Sequence, residues 1–211
     1  MSAKLRRCHN VADVRRLALR RLPLMARAFL EGGADDEVTL RRNVAAFDDY
    51  DLNPRYLVDV AEIDLSTRVL GQDISLPVII APVSGTGMFN PHAEIAVARA
   101  AAEAGTIHSL STYSTRTIED VGKASGGPKM FQLYVFKDPG LSRDLIDRAR
   151  DAGFDALCLT VDVPILGNRE RDVRSGLATG TRMGPKSILS VAAHPRWLLN
   201  TVARRGIVPG N

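Results

Sequence analysis

Apolar and polar positions keep a steady rhythm between residues 77 and 161. Short runs rich in β-branched and aromatic residues alternate with stretches whose apolar positions recur every three to four residues. Val78-Ile79-Ile80-Ala81 predicts a strand, as do Thr106 to Leu110, Lys129 to Val135 and Ala156 to Val161. Three helices are predicted between them. Asn90-Pro91 opens the first, which carries Ile95, Ala98 and Ala102 and ends at Gly105; Thr117 to Ala124 forms the second; Pro139 to Ala152 forms the third, stopped by Gly153. Strands that alternate with helices in this way imply an α/β fold with a parallel sheet. Two of the strands end in polar groups, Gln132 and Tyr134 on one, Thr160 and Asp162 on the next. Ligands of parallel sheets and barrels sit at the carboxyl ends of the strands. Side chains alternate along a strand, so Gln132 and Tyr134 share a face.

Upstream, Asn10 can cap a helix whose apolar positions Val11, Val14, Leu17 and Ala18 fall on one side. A second helix begins at Pro23 and ends at Gly32-Gly33, and a third runs from about Asp36 to Tyr50. Ser66 to Leu70, Gly71-Gln72 and Ile74 to Leu76 predict a short hairpin ahead of the main sheet. Beyond Pro164 the rhythm is lost, and a long loop with one helix near Ile188 to Arg204 is expected.

Length and charge narrow the picture further. The 211 residues suffice for one sizeable core, and no apolar run approaches the roughly 20 residues of a membrane span. Cys8 lies in a polar segment and Cys158 in an apolar strand, so no disulfide is expected and a reducing, cytoplasmic setting fits. The net charge of +4 owes much to Lys4, Arg6, Arg7, Arg15, Arg16, Arg20, Arg21 and Arg27. The ordinary reading is a solvated helix face; a contact with phosphate, nucleic acid or an anionic membrane, or an Arg-rich targeting segment, stays open beside it. Gly85-Thr86-Gly87 lacks the further Gly or Lys of a phosphate loop. His108, inside an apolar strand, reads as a hydrogen-bonded core histidine, and His9, His92 and His194 have no metal-ligand spacing, so no metal site is expected.

The succession of motifs is more specific than any one of them. Arg21-Leu22-Pro23, Glu31 to Glu37, Pro54-Arg55, Leu76-Pro77, Ala81-Pro82, Ala104-Gly105, Leu110-Ser111-Thr112, Phe131 to Val135, Thr160-Val161-Asp162 and Gly167 to Asp172 occur in this order. From about Asn10 to Asn211 the chain resembles the FMN-dependent α-hydroxy-acid dehydrogenases and oxidases, the lactate, glycolate and mandelate enzymes. The resemblance implies the N-terminal half of a TIM (β/α)₈ barrel with FMN at the carboxyl ends of its strands. It reads as a single incomplete domain: N-terminal helices and hairpin over 1–76, the first four barrel strands over 77–164, and a long loop region over 165–211. The catalytic His, the substrate Arg beside it, the lysine near the flavin and most of the phosphate site belong to the family's other half.

By resemblance, Ala81, Pro82, Val83 and Ser84 lie against the flavin edge, and Ser84 sits where relatives carry a small Gly or Ala that tunes oxygen access. Ser111, Gln132 and Thr160 match FMN-binding positions; their plainer reading is strand-end capping. Tyr134 matches a residue that contacts the substrate oxygen, Asp162 the carboxylate that pairs with the catalytic His, and Arg169 an arginine near the substrate carboxylate. Each has an ordinary alternative: a half-buried core tyrosine, a loop-capping aspartate, a surface cation. Phe29 is a departure, because the family usually has a Tyr there whose hydroxyl binds the substrate carboxylate.

The reading implied is oxidation of a small 2-hydroxy acid to the 2-oxo acid by the complete enzyme, with this chain alone inactive. The alternative is a catalytically inactive half-barrel or interaction fragment. Expected partners are the substrate and either further copies of the chain or a complementing C-terminal half. A peripheral contact at the inner face of the cell membrane is a further expectation, and no nucleic acid is expected.

Overall fold

The computed structural model describes residues 3–162, 165–178, 182–203 and 209–211, the side chains of 202 and 203 excepted. Its longer elements are α1 (Val11–Leu19), α2 (Leu24–Glu31), α3 (Val38–Ala45), β1 (Thr67–Val69), β2 (Gln72–Ile74), α4 (Ala93–Glu103), β3 (His108–Ser111), α5 (Ile118–Ala124), β4 (Lys129–Leu133), α6 (Pro139–Asp151), β5 (Ala156–Leu159), α7 (Glu170–Ser175), α8 (Pro185–Ala192) and α9 (Pro195–Ala203). They fall into two compact units, Met1–Pro54 with Ile165–Asn200, and Arg55–Pro164 with Thr201–Asn211.

The first unit is helical. Asn10 caps α1 by accepting from the Asp13 N–H at 2.8 Å, which satisfies one of the donors a helix start leaves bare. Pro23 precedes α2, and Gly32 closes it. α2 packs against α7 and α8, and the Leu24 N–H donates to Ser190 Oγ at 2.9 Å. The described residues of the region expected as a loop with a single helix carry three. α7 ends at Gly176, whose φ of 80° is left-handed, and the expected run from Ile188 is broken between α8 and α9. Pro185 and Pro195 open these helices, where a missing N–H costs nothing. Arg204, the expected end, lies outside the described residues, as does the boundary residue Pro164.

The second unit starts with the expected hairpin. β1 and β2 pair antiparallel from Thr67↔Ile74 to Val69↔Gln72, and Leu70 and Gly71 turn between them with φ of 51° and 78°, the two positive angles of a type I′ turn. β3, β4 and β5 form a parallel sheet in that order, registered as Ser111↔Gln132 and Gln132↔Cys158. The strand expected at Val78–Ala81 is reduced to a single parallel bridge, Ile80↔His108. The Ile80 N–H donates to Ile107 O, and Ile80 O accepts from the Ser109 N–H, both at 3.0 Å. The ladder stops there because Val78 turns its N–H back to Leu76 O and Pro82 has none to give.

Helices α4 to α6 cover one face of β3 and β4. Leu110, Phe131 and Leu133 meet Ala98, Ile118, Val121, Leu145 and Ala149 in the core. Phe131 is fully buried and packs edge-on to Phe154; its truncation to Ala would cost about 3–5 kcal/mol. His108 is 4% exposed, but the expected hydrogen bonds are missing: neither ring nitrogen has a partner among the described residues. Burial, opposed by nearby Glu94 and reinforced by Lys129, holds its pKa down to about 4. The opposite face of the sheet carries Ser111, Gln132, Tyr134, Cys158 and Thr160, by register and alternation.

Candidate active site

Four polar side chains on that second face form one hydrogen-bonded strip. Ser84 Oγ lies 2.9 Å from Ser111 Oγ; the Ser111 hydroxyl donates to Gln132 Oε1 at 3.2 Å; Gln132 Nε2 donates to Thr160 Oγ1 at 2.6 Å. The proton inventory gives the strip a direction. Ser111 spends its hydrogen on Gln132 and accepts from the Tyr113 N–H at 3.2 Å, so Ser84 is the donor to Ser111. Gln132 Oε1 also accepts from the Thr112 N–H at 3.3 Å, which turns its NH₂ toward Thr160. Among the described residues, one N–H of Gln132 and the hydroxyl hydrogen of Thr160 are left to donate outward, and the lone pairs of Ser84 are left to accept. The sheet delivers Ser111, Gln132 and Thr160 because they end, or directly follow, the neighbouring strands β3, β4 and β5, and Ser84 comes soon after the Ile80↔His108 bridge.

Tyr134 lies beside the strip, half-buried, with its ring 5.5 Å from that of Tyr113. Tyr113 also meets Phe136 edge-on. Asp162 lies in an exposed bend after β5. Ala81 and Val83 are exposed, and Pro82 and Ser84 are half-buried. The loop that follows them is tied down. Gly85, left-handed with φ of 67°, donates to Tyr113 O at 3.2 Å. The Gly87 N–H donates to Thr115 Oγ1 at 3.1 Å, and Thr115 donates from its N–H and its hydroxyl to the buried Glu94 carboxylate, each at 2.8 Å.

Phe29 and Arg169 lie in the first unit and meet there. The Arg169 guanidinium sits 5.1 Å over the Phe29 ring. It donates to Phe29 O at 2.6 Å and Gly32 O at 2.9 Å, the bare carbonyls at the end of α2, and to Asp172 Oδ2 at 2.5 Å. Of five guanidinium N–H groups, two are without an acceptor among the described residues.

Ser84, Ser111, Gln132 and Thr160 are thus joined, with Tyr134 on the same face; Phe29 and Arg169 are joined in the other unit. Thr112, Tyr113 and the Glu94–Thr115 pair carry weight that reading the sequence missed. The available signal was the polar run from Ser111 to Thr115 directly after an apolar strand.

Comparison with known proteins follows the same lines. Residues 18–208 match the FMN-dependent dehydrogenase family. The chain is 46% identical over 166 residues to glycolate oxidase 3 of Oryza sativa subsp. indica, covering 79% of this chain and 45% of that protein. It is 48% identical over 170 residues to an L-lactate oxidase of Nostoc sp., covering 79% of this chain and 47% of that one. Among solved structures it resembles the monotopic membrane protein (S)-mandelate dehydrogenase, with a TM-score of 0.87, 37% identity, and coverage of 93% of this chain and 52% of that one. Mandelate oxidase with (S)-4-hydroxymandelic acid gives a TM-score of 0.76 at 38% identity over 83% of this chain and 48% of that one. The chain spans about half the length of the curated relatives it matches.

Proposed function

We propose that this chain, which belongs to the FMN-dependent dehydrogenase family, supplies the flavin-ring half of an enzyme that oxidises a small 2-hydroxy acid to the 2-oxo acid. The observation that carries the reading is the strip from Ser84 through Ser111 and Gln132 to Thr160. Its uncharged donors and acceptors fit the carbonyl and N–H edge of a flavin ring, so these side chains would hold FMN with the backbone of Ala81, Pro82 and Val83. FMN, when bound, supplies the two-electron acceptor. The rest of the work falls to the protein. Tyr134 hydrogen-bonds the substrate oxygen whose charge changes as the C–H and O–H hydrogens leave. Asp162 stabilises a protonated His of the family's other half after that base has taken a proton.

Phe29 and Arg169 set the affinity for the substrate carboxylate. Phe29 offers bulk without a donor. Arg169 keeps two N–H groups for an anion while its other donors hold the end of α2. The test is anaerobic addition of L-lactate, glycolate or mandelate to the FMN-loaded protein that carries these residues. Bleaching of the flavin absorbance is expected, and slower bleaching in Tyr134→Phe. A flavin that none of these acids reduces overturns the assignment. The reading needs a complementing C-terminal half or further copies to complete the site; an inactive half-barrel is the competing outcome.

A second reading concerns location, in a cytoplasmic protein held at the inner face of the membrane. Arg174 to Asn211 contain no Asp or Glu, but do contain Arg182, Lys186 and Arg196. α8 and α9 leave Leu189 72% and Leu199 69% exposed. No helix among the described residues is long and apolar enough to cross a membrane. Short basic helices with bare leucines suit the surface of an anionic bilayer. Co-sedimentation with anionic but not zwitterionic vesicles, lost in Leu189→Glu/Leu199→Glu, is the expected result; equal behaviour toward both vesicles overturns it.

A further inference from the structure

The sheet next to the strip contains a repair that points to one residue. Pairing of β3 with β4 ends at Ser111↔Gln132, because the chain then turns, with the Ser114 N–H closing on Ser111 O at 3.0 Å. The turn takes the β3 backbone away from Gln132 O and from the Tyr134 N–H. Buried backbone groups need partners, and Thr112 supplies both. Its hydroxyl donates to Gln132 O at 2.6 Å and accepts from the Tyr134 N–H at 3.1 Å, while its own N–H donates to Gln132 Oε1 at 3.3 Å. Thr112 is buried, and its hydroxyl spends its one hydrogen within this set. One residue therefore holds the backbone on both sides of Leu133 and the orientation of the Gln132 amide.

We propose that Thr112 is a positioning residue for Gln132 and Tyr134, its hydroxyl standing in for the lost strand so that both side chains meet ligand in a set geometry. The inference rests on the function proposed above for Gln132 and Tyr134, but its structural part can fail separately. A residue that merely stabilised the fold would lower the melting temperature and leave the folded enzyme's turnover alone.

The test compares Thr112→Val, which keeps the shape and removes the hydroxyl, with Thr112→Ser, which keeps it, both in the FMN-loaded protein well below its melting temperature. In Thr112→Val the Tyr134 amide should exchange its hydrogen roughly tenfold faster for the loss of one buried bond. kcat for the 2-hydroxy acid should fall about tenfold with KM moved less than twofold, the pattern of a contact made in the transition state. Thr112→Ser should restore both. If Thr112→Val does not fold, Thr112→Ala carries the same expectations. Unchanged exchange at Tyr134 overturns the hydroxyl bridge itself. Faster exchange with unchanged kcat overturns the positioning role while the bridge stands. If the wild-type protein oxidises no 2-hydroxy acid, the functional reading fails; the exchange rates still decide the bridge, and the positioning role falls with that reading.

Discussion

Acidification should weaken the second unit through one imidazole. His108 is buried without a hydrogen-bond partner for either nitrogen among the described residues. Burial is the main reason that its pKa falls from the ordinary 6.5 to about 4. A histidine with a depressed native pKa binds its proton more readily unfolded, so the unfolded state gains as the pH falls through 6.5, and the loss is complete below about 4. The gap, at 1.36 kcal/mol per pH unit, amounts to about 3 kcal/mol, a large share of a typical domain's 5–15 kcal/mol. The assay is guanidinium denaturation followed by far-ultraviolet circular dichroism between pH 7 and pH 4, on the wild type and on His108→Phe. Phenylalanine fills similar space and loses no hydrogen bond, so it should match or exceed the wild type at pH 7 and remove most of the slope between pH 6.5 and 4. A slope that persists unchanged in His108→Phe, or an NMR titration that puts the imidazole near 6.5, refutes the reasoning.

Other perturbations act elsewhere. Glu119 is held down to about 2 chiefly by hydrogen bonds from Arg148, at 2.7 and 3.0 Å; its contribution is present above pH 4.5 and lost toward pH 2, a window that meets that of His108 only between pH 4.5 and about 4. Its side chain is 41% exposed, so Glu119→Gln should cost only about 1 kcal/mol at pH 7, less in high salt, read from the denaturation midpoint; a cost above about 3 kcal/mol would contradict that screening. Phe29→Tyr in the flavin-loaded enzyme should lower KM for the 2-hydroxy acid by about tenfold or more, the effect of one hydrogen bond to a charged group; an unchanged or raised KM means that Phe29 does not face the carboxylate. Residues 1–211 expressed alone should bind FMN weakly by fluorescence titration and should self-associate in sedimentation, because the β5 face leaves Leu157 47% and Leu159 52% exposed; a compact monomer with tight FMN binding would count against the half-barrel.

Much of the protein was legible in the sequence, where the causes are local. Asn10 and Thr117 mark helix starts by accepting from an N–H three residues on, Pro23 marks one by its fixed φ, and period-two alternation alone puts Gln132 and Tyr134 on one face. The order of motifs identified the family. What only the tertiary structure decided are pairings between residues far apart in the chain, which no local pattern encodes. Ser84 reaches Ser111, and Gln132 reaches Thr160, across strand register. Arg169 reaches the end of α2 across about 140 residues. His108 reads as an ordinary core histidine until the packing shows its nitrogens bare among the described residues. Thr112 is one polar residue in a polar run until the strand beside it ends, because the need for its hydroxyl arises from two backbone groups on β4 that lose their partners only once β3 turns away.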